Sequence, residues 1–352
     1  MKRDYDNLAR PEVRALTPYA SARALADAAG ILLNANENPF SFDDRHLNRY
    51  PDPQPADLRE RLATLYGVRD EQLLITRGSD EGIDLLVRVF CAAGESVLVM
   101  PPCFGMYALS ARVQGARVVE APLVETRGGF EAPNDLAELA GACKLAFLCS
   151  PNNPTGSVLA ADTVESVCAA MDGRGLVVVD EAYVEFQAAP SFTTRLDALP
   201  NLVVLRTLSK AHALAGCRLG TVIADPGVIA LLRRIIAPYP LPTPTVEAAL
   251  TALQPEALAR QHEQLAVLAE QKARLVEALG TLDWVRDLWP GEANFVLVRV
   301  PDARRLLDDA AAAGIRLRNQ SAQRGLEECV RITIGTPAET DALIDFLRRW
   351  RA

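Results

Sequence analysis

The 352-residue sequence lacks several short motifs that identify common enzyme chemistries. It contains no G-x-x-x-x-G-K-[ST], no G-x-G-x-x-G, no H-E-x-x-H and no G-x-S-x-G. These absences argue against a P-loop nucleotidase, a Rossmann dinucleotide enzyme, a zinc protease of that class and an α/β-hydrolase. With only three histidines in the chain, a His-rich metal site is also disfavoured.

Long apolar runs are missing as well. No stretch approaches the ~18 apolar residues that a membrane-spanning helix needs. The first six residues, MKRDYD, include acids and no apolar core of a signal peptide. The seven cysteines are odd in number, no two are spaced C-x-x-C, and most lie in apolar runs as small core residues do. The sequence therefore predicts a soluble cytoplasmic protein in a reducing compartment.

An excess of basic residues is absent too. Lys and Arg number 37 against 45 Asp and Glu, which gives a net charge of -8. This balance argues against a nucleic-acid surface, including that of a transcription regulator, but it leaves room for a local site that binds small anions. Hydrophobic residues make up 49% and charged residues 23%, as in globular proteins. At about 100–200 residues per domain, the length predicts two domains.

Short apolar runs alternate with helical patterns from about residue 70 onward. The runs are apolar throughout, which is typical of strands covered on both faces. Their alternation with helices predicts an α/β fold with a mostly parallel sheet flanked by helices. The predicted strands are 73–76, 97–100, 117–120, 145–149, 176–179, 202–205 and 221–224, and the predicted helices are 81–93, 161–171 and 227–236.

Residues 237–244 contain four prolines, so neither a helix nor a strand continues through them. Beyond them the pattern predicts a long helix over 246–279, bent near Pro255. The rest predicts a small α+β unit with strands at 294–300, 315–318 and 330–334 and helices at 303–313 and 339–351. The predicted organisation is an N-terminal arm (1–45) that packs with the small domain, a large domain (46–243) and a small C-terminal domain (244–352).

Polar residues follow several of the predicted strands, where ligands bind in open parallel sheets. Gly78-Ser79-Asp80 opens a helix after the first strand, and its N–H groups favour an anion; the alternative is a simple helix N-cap. After the strand at 145–149 comes Ser150-Pro-Asn-Asn-Pro-Thr-Gly156, in which two prolines hold Asn153 in a stiff turn. The alternative there is an ordinary strand-to-helix turn.

Asp180 ends an apolar strand, and Tyr183 follows three residues later. A carboxylate in that place needs a charged or hydrogen-bonding partner, and a protonated ring nitrogen would serve. The alternative is a helix N-cap aspartate.

Lys210 lies between two predicted strands among small and apolar residues. A desolvated lysine is a candidate Schiff-base nucleophile. Thr207, Ser209 and Arg218 add hydroxyls and a guanidinium that suit a phosphate, whereas His212 fits packing or a supporting hydrogen bond better than a direct catalytic role. An imine-forming lysine, a phosphate site and a carboxylate for a ring nitrogen together indicate pyridoxal 5′-phosphate.

These strings also carry a resemblance to a known family. Residues 150–156, 180–183 and 207–210, followed by Arg218, occur in the order and approximate spacing of the fold-type-I pyridoxal-phosphate-dependent aminotransferases. The resemblance implies that family's α/β fold, a large domain with a mostly parallel central sheet plus a small α+β domain. Within the family the sequence resembles the histidinol-phosphate aminotransferases through residues 16–19, 33–39, 48–51, 77–82, 101–107, 236–240, 317–318 and 331–336.

The resemblance implies a role for each matching residue. Lys210 would link to the cofactor aldehyde and later move the substrate proton. Asp180 would keep the ring nitrogen protonated, Tyr183 and Asn153 would hydrogen-bond the cofactor O3′, and Phe104 would stack on the ring. The cofactor phosphate would be bound by Gly78, Ser79, Asp80, Thr207, Ser209 and Arg218.

Further residues match substrate positions of that family. Tyr50 would reach into the neighbouring subunit's site and contact its cofactor, which implies a homodimer. No metal is implied. The expected substrate-binding residues are Tyr19, Asn36, Tyr50, Arg318 and Arg331.

The implied reaction is transamination between L-histidinol phosphate and 2-oxoglutarate, giving imidazole-acetol phosphate and L-glutamate, by a ping-pong mechanism in histidine biosynthesis. Two alternatives stay open, an aromatic or broad-range aminotransferase and a lyase like threonine-phosphate decarboxylase. The sequence departs from the family at Phe104, where tyrosine is frequent, and at His212, where phenylalanine is frequent.

Overall fold

The computed structural model describes residues 5–19, 30–42 and 47–351. The first four residues and part of the predicted arm lie outside these ranges. None of the helices within them is long and apolar enough to cross a bilayer. The α-helices of the described residues are α1 (Pro11–Arg14), α2 (Ala56–Tyr66), α3 (Gly78–Phe90), α4 (Met106–Val113), α5 (Leu136–Ala140), α6 (Ala161–Ala170), α7 (Pro226–Leu232), α8 (Thr243–Ala252), α9 (Pro255–Gly280), α10 (Ala303–Ala312) and α11 (Pro337–Arg349).

A seven-stranded sheet forms the centre of the larger part of the chain, in the order β1-β9-β8-β7-β6-β2-β3. A smaller sheet has the order β10-β11-β13-β12, and β4 and β5 form a separate hairpin. The strands are β1 (Leu73–Thr76), β2 (Ser96–Val99), β3 (Arg117–Glu120), β4 (Val124–Thr126), β5 (Gly129–Glu131), β6 (Leu145–Cys149), β7 (Leu176–Asp180), β8 (Leu202–Thr207), β9 (Gly220–Ala224), β10 (Asp287–Trp289), β11 (Phe295–Arg299), β12 (Arg318–Asn319) and β13 (Cys329–Thr333).

The predicted mostly parallel sheet is confirmed, with one exception. Strand β9 runs antiparallel to both of its neighbours, β8 and β1. Its first residue, Gly220, pairs with Thr207 at the end of β8 and with Thr76 at the end of β1. The connection from β8 to β9 therefore begins and ends at the same edge of the sheet.

Both faces of the large sheet are covered, which explains why its strands are apolar throughout. Along β7, Leu176 and Val178 contact one apolar layer, while Val177 and Val179 contact the other. Helices α3, α4 and α7 contribute to the first layer. Helices α2, α5, α6 and α8 contribute to the second.

The prediction that the N-terminal arm packs with the small domain is wrong for the first described residues. Tyr5, Leu8 and Val13 are buried in the same layer as α3 and α7 of the large sheet. The backbone N–H of Arg10 donates to the carbonyl of Val89 at 2.9 Å. These apolar side chains cover the outer surface of that layer, so burial directs the segment to the large sheet.

The predicted helix over 246–279 is two helices. Pro255 is the first residue of α9, and the residue before it, Gln254, has an extended backbone (φ -72°, ψ 149°), because proline disfavours helical geometry in its predecessor. Ala249 of α8 is buried with the large sheet, whereas Leu275 of α9 is buried with the small one. The predicted domain boundary between residues 243 and 244 stays a prediction. Helix α8 packs with the large sheet.

The small sheet packs against α9, α10 and α11. The predicted strand at 315–318 is wrong for most of its length, since only Arg318 and Asn319 pair with β13. Helix α11 begins with a capping box, in which the side chain of Thr336 accepts from the N–H of Glu339 and the Glu339 carboxylate accepts from the N–H of Thr336. The predicted helix starts two residues too late because Pro337 is its first residue.

The loop after β6 and the loop before β11 meet through two glycines. A Cβ on Gly291 would lie 2.5 Å from Cα of Gly156, so neither position has room for a side chain. The N–H of Glu292 donates to the carbonyl of Gly156 at 2.7 Å. On the other side of this contact, Lys272 Nζ donates to the carbonyls of Gly291 at 2.7 Å and Ala293 at 2.8 Å. We call this Gly156–Gly291 contact the glycine seam.

The variant Gly156→Ala tests the seam, with Gly173→Ala as its control. Both glycines have left-handed backbones, with φ of +73° and +69°, so both substitutions carry a strain of about 1 kcal/mol. At Gly156 the new Cβ meets backbone, at 2.8 Å from Gly291, whereas at Gly173 no atom of the described residues lies within 4 Å. We expect the urea concentration at the unfolding midpoint to decrease clearly more for Gly156→Ala than for Gly173→Ala. Equal decreases would contradict a tightly packed seam.

Candidate active site

A cavity of about 550 Å³, counting its open mouth, lies at the edge of the large sheet where β1, β6, β7 and β8 end and β9 begins. The carboxyl ends of parallel strands meet at one edge, which is where ligands bind in such sheets. The cavity is lined by Ser79, Asp80, Phe104, Tyr107, Cys149, Asn153, Asp180, Ala182, Tyr183, Thr207, Ser209, Lys210 and Arg218.

One end of the cavity is suited to an anion. Helix α3 begins there with Gly78, whose φ is +76°. A Cβ on Gly220 would lie 2.4 Å from the backbone nitrogen of Ser79, so glycine at the start of β9 lets the helix N-terminus approach the sheet. The unpaired N–H groups of that first turn and the guanidinium of Arg218 attract negative charge.

Side chains complete this anion cradle. Thr207 Oγ1 donates to Ser209 Oγ at 3.0 Å, and both hydroxyls border the cavity. Arg218 Nη2 donates to the carboxylate of Asp80 at 3.1 Å. Because a carboxylate repels phosphate, Asp80 fits the cradle through its backbone N–H and by orienting Arg218.

Lys210 lies in the connection from β8 to β9, with Nζ 5.6 Å from the centre of the Tyr183 ring. Among the described residues, no carboxylate lies within ion-pairing distance of this amine. Burial lowers the pKa of Lys210, and the nearby positive charges of Arg331 and Arg218 lower it further. A lysine with these properties holds more of its amine in the neutral, nucleophilic form at neutral pH.

Asp180 ends β7 with only 3% of its surface exposed. Its Oδ2 accepts a hydrogen bond from Tyr107 Oη at 2.7 Å, and its Oδ1 accepts one from the N–H of Ala182 at 3.1 Å. Burial raises the pKa of Asp180, and these two hydrogen bonds act in the opposite direction. A cationic ligand atom in the cavity would satisfy the carboxylate that burial otherwise disfavours.

Asn153 stands in the turn after β6, which its neighbour Asn152 pins by donating to the carbonyl of Pro102 at 2.9 Å and to Thr155 Oγ1 at 2.8 Å. The Asn153 side-chain oxygen accepts a hydrogen bond from Arg331 Nη1. Through this bond, strand β13 of the small sheet reaches the cavity of the large one.

Arg331 carries a guanidinium that its surroundings do not neutralise. It lies 5.1 Å above the Phe295 ring, and its buried Nε has no hydrogen-bond partner in the part of the chain that the structure describes. Burial lowers the pKa of Arg331, and the neighbouring charge of Arg318 adds to that. Within the described residues, this side chain is a candidate for binding an anionic group.

The cavity brings together ten of the predicted site residues. Gly78 lies beside it, because a Cβ built on Gly78 would be 2.9 Å from Arg218 Nη2. Arg331 does not line the cavity itself but reaches it through its hydrogen bond to Asn153. Four other predicted residues also do not line it. Tyr19 is exposed, Arg318 is exposed on β12, and Asn36 and Tyr50 line a different cavity, where the Tyr50 ring stacks on Tyr239 at 4.4 Å. Their predicted roles stay predictions.

His212 does not line the cavity. Its side chain is buried, with Nε2 3.8 Å from Glu185 Oε1, and burial lowers its pKa. Glu185 also accepts a hydrogen bond from the buried Arg206 at 2.8 Å. This arrangement fits the predicted packing or supporting role.

Sequence reasoning missed three residues that line the cavity: Tyr107, Cys149 and Ala182. Cys149 is the last residue of a correctly predicted strand, so its position was a usable signal. Tyr107 is the second residue of α4, and that helix was not predicted. Its contact with Asp180 joins residues 73 positions apart, which no local pattern reveals.

The donor set fits pyridoxal 5′-phosphate. The amine of Lys210, the buried carboxylate of Asp180 and the anion cradle border one cavity, and the three match the aldehyde, the ring nitrogen and the phosphate of that molecule. The Phe104 ring adds an aromatic face on the same cavity.

Comparisons with known proteins agree with this chemistry. The family described as "Aminotransferase class I and II" matches residues 18–347. The chain is 49% identical to the histidinol-phosphate aminotransferase of Stenotrophomonas maltophilia (strain R551-3), with 100% of each chain covered.

Two solved structures share the fold. The histidinol-phosphate aminotransferase of Clostridium acetobutylicum matches with a TM-score of 0.79 at 22% identity, over 86% of this chain and 91% of that one. The enzyme of that name from Sinorhizobium meliloti, in complex with pyridoxal-5′-phosphate, matches with a TM-score of 0.75 at 28% identity, over 85% and 83%.

The variant Arg218→Met tests the anion cradle on the cofactor-free protein. Inorganic phosphate should raise the melting temperature of the wild type, because a ligand that binds the folded state stabilises it. Losing a charge-assisted contact should weaken phosphate binding about tenfold or more. The control is Arg88→Met, which removes an exposed arginine of α3 paired with Asp84 at 3.5 Å. An unchanged phosphate response in Arg218→Met would contradict the cradle.

Proposed function

The chain belongs to the aminotransferase class I and II family, and on that premise we propose that it transfers an amino group between L-histidinol phosphate and 2-oxoglutarate. The products are imidazole-acetol phosphate and L-glutamate, a step of histidine biosynthesis. One structural observation carries the proposal: Lys210, which has no ion-pair partner among the described residues, shares a cavity with a buried Asp180 and an anion cradle. The identity of 49% to a histidinol-phosphate aminotransferase supports the choice of substrate.

The proposed cofactor is pyridoxal 5′-phosphate, which when bound supplies an electron-withdrawing ring that accepts the electrons left by the departing substrate proton. The cradle of Gly78, Ser79, Asp80, Thr207, Ser209 and Arg218 holds the phosphate. Asp180 holds a proton on the ring nitrogen, which keeps the ring electron-withdrawing. Phe104 stacks on the ring, while Asn153 and Tyr183 bind O3′.

Lys210 has two roles in the proposal. Its Nζ would hold the cofactor through the aldehyde, and once an amino substrate has taken its place, the freed amine would carry the proton between the substrate α-carbon and the cofactor C4′ atom. The lowered pKa of Lys210, caused by burial and by Arg331 and Arg218, keeps a neutral amine available for both roles.

Anionic parts of both substrates are assigned to the small sheet. Arg318 and Arg331 are paired Cα partners on neighbouring strands, and like charges directly opposite each other destabilise a sheet. A bound carboxylate or phosphate between them removes that repulsion. Because histidinol phosphate and glutamate are both acidic, one clamp serves both halves of a ping-pong reaction.

We also propose that the enzyme is a homodimer. Eight of the twelve exposed large apolar side chains found among the described residues lie between positions 16 and 50, including Tyr19 at 73% and Phe42 at 85% exposure. A concentration of exposed apolar residues marks an interaction surface. Covering it with a second copy would also let Tyr50, together with Tyr19 and Asn36, act at the partner's cavity.

A cytoplasmic location completes the proposal. All seven cysteines are free thiols, and five of them are buried. Free thiols persist in a reducing compartment.

Two half-reactions test the proposed activity. The cofactor-loaded protein is first treated with L-glutamate and then, after removal of the keto acid, with imidazole-acetol phosphate, which should yield L-histidinol phosphate. Lys210→Ala should lower this conversion by a factor of about 10² or more, since it removes both the tether and the proton carrier. Lys144→Ala, which removes a lysine outside the cavity paired with Glu95 at 3.6 Å, should retain it.

The same assay separates the alternatives. When the reaction is run in the opposite direction, from L-histidinol phosphate and 2-oxoglutarate, equal efficiency of L-phenylalanine in place of histidinol phosphate would indicate a broad-range aminotransferase. Release of CO₂ from O-phospho-threonine without a keto acid would indicate the decarboxylase. Full activity of Lys210→Ala would contradict all three.

Complementation tests the homodimer. If Tyr50 acts at the partner's cavity, co-expressed Tyr50→Ala and Lys210→Ala chains should form mixed dimers that contain one intact site, and activity should recover to about a quarter of wild type. Each variant purified alone supplies the baseline. Absence of recovery in isolated mixed dimers would show that Tyr50 serves its own chain.

A further inference from the structure

Tyr107 is a cavity residue to which the proposed reaction assigns no role. It is the second residue of α4 and has no exposed surface. Its ring is stacked on Phe147 of β6 with centroids 4.9 Å apart and planes within 5° of parallel, and the Phe104 ring meets it edge-on at 5.7 Å. Two aromatic neighbours, one on β6 and one in the loop before α4, therefore fix where the Tyr107 hydroxyl points.

The hydroxyl is directed at one atom. Tyr107 Oη donates to Asp180 Oδ2 at 2.7 Å, while Asp180 Oδ1 accepts from the N–H of Ala182 at 3.1 Å. Because each oxygen accepts one hydrogen bond, the carboxylate cannot rotate about its Cβ–Cγ bond without losing a partner. An ionised carboxylate has about four acceptor positions, so two remain for a group in the cavity.

Other charged groups around Asp180 oppose each other. Lys210 favours the ionised carboxylate and Asp80 disfavours it. Cys149 lies beside the Tyr107 hydroxyl, and burial raises the pKa of that thiol, which leaves it neutral. Burial also raises the pKa of Tyr107 well above its usual value, with the Asp180 charge adding to the effect, so the phenol stays protonated and can always donate.

We propose that Tyr107 is a positioning residue, whose hydroxyl holds the Asp180 carboxylate in the orientation that binds the protonated ring nitrogen of the cofactor. Tyr107 acts only through Asp180 and touches no reacting atom. The inference rests on the proposed function, because it assigns Asp180 to the ring nitrogen of pyridoxal 5′-phosphate. It predicts that the Tyr107 hydroxyl matters only to a ligand that has this nitrogen.

The experiment compares two probes on the cofactor-free full-length chain. One is pyridoxal 5′-phosphate, and the other is its 1-deaza analogue, in which a C–H replaces the ring nitrogen while the aldehyde and phosphate stay. Tyr107→Phe should weaken binding of the first probe about tenfold or more, the usual effect of losing a hydrogen bond to a charged group. Binding of the 1-deaza analogue should change less than about twofold, since Lys210 and the anion cradle are intact.

Two further variants control the comparison. Tyr5→Phe removes another buried tyrosine hydroxyl, which donates to the Pro200 carbonyl at 2.7 Å, and it should leave both affinities unchanged. In an Asp180→Asn background, Tyr107→Phe should no longer affect pyridoxal-phosphate affinity, because the two residues act as one unit.

The outcomes separate the inference from the proposed function. Equal weakening of both probes by Tyr107→Phe would show a merely structural role and overturn the inference, as would an unchanged affinity for pyridoxal 5′-phosphate. Failure of the wild-type chain to bind pyridoxal 5′-phosphate at all would instead overturn the proposed function. Melting temperatures of the cofactor-free variants verify that each chain is folded.

Discussion

A carboxylate at the end of an apolar strand is the constraint on which the site depends. Asp180 is almost fully buried, so its negative charge is tolerable only with hydrogen bonds and a positive partner nearby. Tyr107 of α4 supplies a phenol, Ala182 in the turn after β7 supplies an N–H, and the proposed ring nitrogen supplies the positive charge. The surrounding fold thus supplies part of what the carboxylate needs and leaves the rest to a cationic ligand.

The remaining chemistry is placed by strand direction. Parallel strands bring their carboxyl ends to one edge, so Asn153, Asp180 and Lys210, which lie at or just beyond the ends of three different strands, meet there although 57 positions separate the first from the last. The small sheet adds Arg331 to the same place through its bond to Asn153. The glycine seam holds the two loops that make this approach possible.

Much of this was predictable because the signals were local. The uninterrupted apolar run at 145–149 predicts both ends of β6 correctly, and the polar residues that follow the strands include most of the residues that line the cavity. The failures were those of long-range packing. Nothing near Tyr5 indicates which sheet it covers, nothing near Tyr107 indicates Asp180, and the direction of β9 depends on its neighbours. The sequence around Pro255 predicts a bend, but a bend and a break have the same local pattern, and only the packing of α8 and α9 in different apolar clusters distinguishes them.

The reversed direction of β9 has a consequence for how the site can change. Lys210 and Arg218 both lie within residues 208–219, the twelve residues between Thr207 and Gly220. Thr207 and Gly220 are paired with each other in the sheet. The two ends of this loop are therefore held next to each other, and the loop carries two functional groups. An insertion or deletion within it would alter the distance between them, so the length of this part of the chain is constrained.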